Sequence, residues 1–195
     1  GTYELSGIET PSTLGIVVIV EDCEETAEAD RSMYPTGTGM AFEVYGTLEP
    51  GAVATLNLNQ LRLNLLADID SALTEVGHLN APPEMGGEPS TFTDQGGLIA
   101  FMRDSVGAPV PDATINCAGG YCPTYYNTEA AVGGLSFLGA DGLATQTGAD
   151  GLAFIPGAPI TNYSGTHADM EFESRTMGAL PGVALVVNLA QIPTP

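Results

Sequence analysis

The stretch "GLIAFMRDSVGAPVPDATINC", residues 97–117, decides the fold. Six glycine or apolar residues run up to Arg103, a Gly-Ala-Pro turn follows, and then Ala113, Ile115 and Cys117 alternate with Asp112, Thr114 and Asn116. Alternation with a period of two places the first three on one face of a strand and the others on the opposite face. Strand, turn and strand within so short a span indicates a sheet. The 25 glycines and 14 prolines of the 195-residue chain point the same way, toward many turns and short elements. The expected fold class is all-β.

Toward the carboxyl end the pattern continues. "GADGLATQTGADGLAFIPGAP" (139–159) writes Gly-Ala-Asp-Gly-Leu-Ala twice, nine residues apart. A calcium-binding nonapeptide roll shares that period but needs paired glycines repeated many times. An Asp-Gly pair supplies a type I′ turn, so the two copies are expected to be turns at the two ends of one short strand. "THADMEFES" (166–174) alternates, with His167, Asp169, Glu171 and Glu173 on its outer side. "GVALVVNLAQI" (182–192) reads as an apolar closing strand.

The order "VGAPVPDATI", then "TGADGLAFIPGAP", then an apolar closing strand resembles the carboxypeptidase regulatory-like, or transthyretin-like (prealbumin-like), β-sandwich domain. Gly107, Pro109, Val110, Ala113, Asp150, Gly151 and Phe154 fall where that pattern places them. An insertion carrying Cys117, Cys122 and the first Gly-Ala-Asp-Gly departs from it. Members of the family serve as folding supports, adhesive stalks and extracellular modules, so the resemblance implies an architecture and a location rather than a reaction. Two β-sandwich domains are expected: an acidic one, jelly-roll or immunoglobulin-like, over 1–93, and a transthyretin-like one over 94–195.

In the amino-terminal half, Ile16, Val17, Val18, Ile19 and Val20 are five β-branched residues in a row, a strand buried on both faces or lying in an interface. "EDCEETAEAD" (21–30), with six acids, follows as a solvated loop. Residues 39–59 read as two strands about a Glu-Pro-Gly turn. Leucines alternate at 56 and 58 and resume at 61, 63 and 65, which suggests a bulge near Gln60. Leu65, Ile69, Leu73 and Val76 then repeat at helical spacing, so one short helix is expected near 66–77. Residues 80–97, rich in proline, glycine and small polar side chains, read as a linker or long loop.

Four arginines, no lysine and 24 acids give a net charge of −20. Such a surface repels phosphate backbones and anionic lipid, so nucleic acid is excluded as a partner. No run approaches the ~18 apolar residues that span a bilayer, so membrane insertion is not expected. The chain opens on Gly1, as a processed, secreted form would. Cys117 and Cys122 bracket a tight loop that suits a disulfide, and Cys23, among anions, is a poor nucleophile that is free, buried or paired between chains.

Chemistry finds few footholds. Ser136 lies in no Gly-x-Ser-x-Gly elbow, and "TGTGMAF" (36–42) lacks the third glycine and following helix of a dinucleotide loop. No enzyme activity and no cofactor are expected. His167, Asp169, Glu171 and Glu173 form a candidate metal site, for Ca²⁺ or, through the histidine, a transition metal. Asn162, in "NYS", is a candidate glycosylation site. The sequence is therefore read as a secreted structural protein that polymerises head-to-tail with itself by strand donation, with Ile16–Val20, or a segment nearer Tyr3 to Ile8, as the candidate donor. The alternative is a monomeric extracellular module that binds carbohydrate or another ligand through Tyr121–Tyr126.

Overall fold

A computed structural model describes residues 16–23, 26–27, 30–40, 60–78, 91–118, 122–128, 135–140 and 142–193. The segment Tyr3 to Ile8 and, beyond Met40, the expected strand pair at 39–59 lie outside them. The molecule is mostly β. Its central element is a six-stranded sheet containing β1 (Ile16–Val20), β3 (Thr36–Met40), β5 (Gly97–Arg103), β7 (Tyr125–Tyr126), β10 (Leu152–Pro156) and β13 (Ala184–Ala190), in the order β1-β3-β13-β5-β10-β7. β13 runs parallel to both β3 and β5, and the other pairings are antiparallel.

The central strands are apolar on both sides because both sides are covered. Leu98, Ala100 and Met102 of β5 pack with Ala153 and Ile155 of β10 against Val110, Ile115, Tyr163 and Phe172. The last three belong to a three-stranded antiparallel sheet of β6 (Thr114–Cys117), β11 (Thr161–Thr166) and β12 (Glu171–Met177). The alternate residues Ile99, Phe154 and Val186 face the opposite way, onto Leu66, Ile69, Leu73 and Phe92. Three of these four come from helix α1 (Leu63–Glu75), whose buried Leu66, Ile69, Ala72 and Leu73 recur at spacings of three and four. Fully burying a side chain such as Ile69 contributes about 1.5–3 kcal/mol.

The helix expected near 66–77 is thus present and starts three residues earlier. The strand reading of Leu63 and Leu65 is corrected. Only β4 (Leu61–Arg62), paired with β2 (Met33–Tyr34), is extended there, and helical periodicity governs from Leu63 onward. A one-turn helix, α2 (Phe92–Gln95), closes the segment expected to be linker. Asp70 of α1 holds it, accepting from the Phe92 amide at 2.6 Å and the Thr93 hydroxyl at 2.5 Å. The expected boundary at 93/94 falls within one sheet and one apolar cluster: Thr38 pairs with Val186, and Tyr34 and Leu61 share a core with Ile99 and Phe154.

The second Gly-Ala-Asp-Gly forms a turn. At the first, β8 (Leu138–Gly139) pairs antiparallel with β9 (Gly142–Leu143), and Asp141 lies outside the described residues. In the second, the Gly151 amide bonds the Gly148 carbonyl at 3.1 Å, so Ala149 and Asp150 are the central residues and Gly151 takes the positive φ of +67°. The expected type I′ assignment is corrected for this copy, because the only described non-glycine residue at positive φ is Asp112. Asp150 keeps a negative φ and uses its carboxylate instead, accepting from the Leu152 amide and the Asn127 side chain.

Candidate functional site

The run Ile16–Val20 is the terminal strand of the large sheet. Of the two expectations for this run, burial on both faces is corrected and a place in an interface is the one left: Val17 and Ile19 are 46% and 44% exposed, and Val18 and Val20 are half-buried. Its neighbour β3 explains the arrangement. In "TGTGM", Gly39 and Gly37 lie opposite Val17 and Ile19. A Cβ on Gly37 would sit 2.3 Å from Leu185 Cδ2 and 3.0 Å from Val17 Cγ1, so the missing side chain lets Val17 and Leu185 approach. The intervening Thr36 and Thr38 are buried on the other face. The Thr36 hydroxyl donates to the Tyr34 carbonyl at 2.8 Å and accepts from the Leu61 amide at 3.0 Å. A strand of β-branched residues is therefore held firmly along one edge by β3. Among the described residues it has no strand on the other.

Polar residues bound this edge at its carboxyl end. Asp22 Oδ2 accepts from the Ser32 and Met33 amides at 2.7 and 2.9 Å, fixing the return of the acidic loop into β2. Glu21, Asp22, Arg31, Met33 and Pro35 line a shallow depression there. Cys23, next in sequence, is exposed and free.

The other expected sites fare differently. Cys117 and Cys122 are joined in a disulfide, with Cα atoms 6.3 Å apart, between the end of β6 and the approach to β7. His167 and Asp169 occupy the turn between β11 and β12, while Glu171 and Glu173 lie on β12, so the four do not share one strand face. The His167 Nδ1 accepts from the Asp169 amide, and Glu173 pairs with Arg175 at 2.5 Å. Among the described residues no three His, Cys, Asp or Glu side chains are grouped to hold a metal ion. Asn162 is exposed on β11.

Tyr121 lies outside the described residues. Tyr125 and Tyr126 are buried, one on each side of the sheet, so neither is available as the stacking platform expected of them. The Tyr126 hydroxyl accepts from the Ile115 amide, and Tyr125 bonds His78 at 2.6 Å. Burial, assisted by the charges of Asp70 and Asp94, pushes the Tyr34 phenol up to about 12, and burial alone takes Tyr163 to about 12.

Sequence reasoning missed β3 as the support of this edge. Its signal was the Thr-Gly alternation itself, a period of two that the search for a phosphate loop passed over. No helix among the described residues is long and apolar enough to cross a membrane. No protein-family model matches the chain, and neither does any curated protein or solved structure.

Proposed function

We propose that the protein is a secreted structural subunit that assembles with copies of itself by pairing β-strands between protomers. The observation that carries this reading is β1, a five-residue β-branched edge strand with two large apolar side chains at the surface of a chain whose net charge is −20. Exposed edges of this kind template further strands unless they are short, charged or bulged. Because Ile16–Val20 already pairs with β3, this segment serves as the edge that receives a strand; donating it would mean leaving its own sheet. The packing of β5, β10 and β13 on β6, β11 and β12 supports a transthyretin-like sandwich for residues 94–195, to which the amino-terminal residues add edge strands and a helix. The disulfide suits an oxidising, extracellular setting.

The test is the size of the purified chain, by light scattering after gel filtration and by negative-stain imaging across a wide concentration range. Species larger than the 20.0 kDa protomer, growing with concentration, are expected. A monomer at every concentration overturns the reading.

A further inference from the structure

Resting on that assembly reading, we infer that the junction is an isologous one: β1 of one copy pairs antiparallel with β1 of a second, about a two-fold axis at Val18. Three observations select this arrangement over a head-to-tail one. The first is the choice of edges among the described strands. At the other end of the large sheet stands β7, with two residues, which would leave most of a five-residue partner unpaired. In the smaller sheet, the β12 edge carries Glu171 and Glu173 and a register shift opposite Ser164 to Thr166, both devices that discourage strand addition. Its other edge, β6, ends at the disulfide.

The second observation is self-complementarity. With Val18 on the axis, Ile16 faces Val20 of the second copy and Val17 faces its Ile19, so every cross-strand pair is β-branched and apolar. Val17 and Ile19, the exposed pair, then meet the same pair of the second copy on one face. The third is charge. Glu21 and Asp22 follow directly on Val20, so a slip of two residues toward the carboxyl end sets Glu21 opposite Val17 and Asp22 opposite Ile16, and a slip of one in either direction turns the exposed pair onto the wrong face. Charge and side-chain alternation therefore both favour Val18 over Ile19 and its neighbouring registers as the axis. A two-fold contact closes on itself, so this junction yields a dimer with one continuous sheet, and a longer assembly needs a second contact elsewhere.

Cross-linking of the full-length chain tests the axis. In a Cys23→Ser background, which removes the exposed free thiol, Val18→Cys should form covalent dimers under mild oxidation. Directly opposed residues lie about 4.5–5.5 Å apart at Cα, within disulfide reach. Val17→Cys or Ile19→Cys alone should cross-link at least about tenfold less, being displaced by two residues or about 7 Å along the strand. The two mixed should cross-link as a heterodimer. Ile19→Lys, at an exposed position, should give a folded monomer by circular dichroism and light scattering. If no variant and no concentration of the parent chain shows association, the assembly reading fails and this inference with it. If the parent associates while Val18→Cys stays unlinked and Ile19→Lys leaves the size unchanged, this inference alone is overturned.

Discussion

Gly151 shows how much one residue can decide. Its φ is +67°, and a Cβ there would lie 2.6 Å from the Met102 carbonyl oxygen and 3.0 Å from the Val110 amide. Gly107 has a φ of +86° but open space around it. Gly107→Ala should therefore cost only the left-handed backbone strain, about 1–2 kcal/mol, whereas Gly151→Ala adds a clash with fixed backbone and should cost about 3 kcal/mol or more. Paired thermal melts check the ordering, and equal losses would deny the close approach. The sequence announced a turn here through its repeated Gly-Ala-Asp-Gly. It could not say which residues were central, because that depends on the backbone of β5 and of residues 109–110 packed against it. Burial likewise decides the tyrosines. With Tyr34 and Tyr163 at about 12 in the folded chain and near 10 when unfolded, the folded state binds their protons more tightly. Their contribution to stability is complete below pH 10 and is lost as the pH rises toward 12. The melting temperature should hold steady up to pH 10 and fall between 10 and 12, with Tyr34 and Tyr163 ionising only as the protein unfolds. Ionisation of all the tyrosines near pH 10 without unfolding would refute it.

Between elements, single polar side chains do the joining. Asp70 links α1 to α2 by accepting from the Phe92 amide and the Thr93 hydroxyl, and Tyr34 donates to the Thr93 carbonyl at 2.7 Å on the same short helix. Asp70→Ala should remove about 1–2 kcal/mol, as loss of a helix cap does, and lower the melting temperature by roughly 2–8 °C. Asp68→Ala, on the same helix but exposed, serves as the control, and an equal loss from it would show that Asp70 matters only as surface charge. Nothing in the local pattern signalled this contact, since Asp70 and Phe92 are 22 residues apart. Elements whose own periodicity survives packing were legible: α1 through its 3–4 spacing, β5 and β13 through their apolar runs, and the disulfide through its short loop. The run Ile16–Val20 admitted two readings because five β-branched residues look alike in a central strand and at an edge. Only the glycines of β3 and the surface exposure of Val17 distinguish the two. The His167 to Glu173 alternation misled, since a turn at 167–170 interrupts the period that the residue types alone would sustain.

At the scale of the whole molecule a long-range term and a contact term oppose each other. A charge of −20 on each copy makes association electrostatically unfavourable at every separation shorter than the screening length. The apolar edge at β1 acts only at contact. Raising the ionic strength from 0.01 to 0.15 M shortens the Debye length from about 30 to about 8 Å. The repulsion between copies should then weaken while the burial of Val17 and Ile19 is left nearly untouched. Self-association should consequently strengthen with sodium chloride, visible in sedimentation velocity as a shift toward the larger species at fixed protein concentration. Glu21→Gln with Asp30→Asn, which removes two charges near the carboxyl end of β1, should reproduce part of that shift at low salt; Asp22 is left in place because its carboxylate holds the Ser32 and Met33 amides. An interface built on ion pairs would behave in the opposite way and dissociate as salt is added. That result would place the contact between copies somewhere other than this uncharged strand.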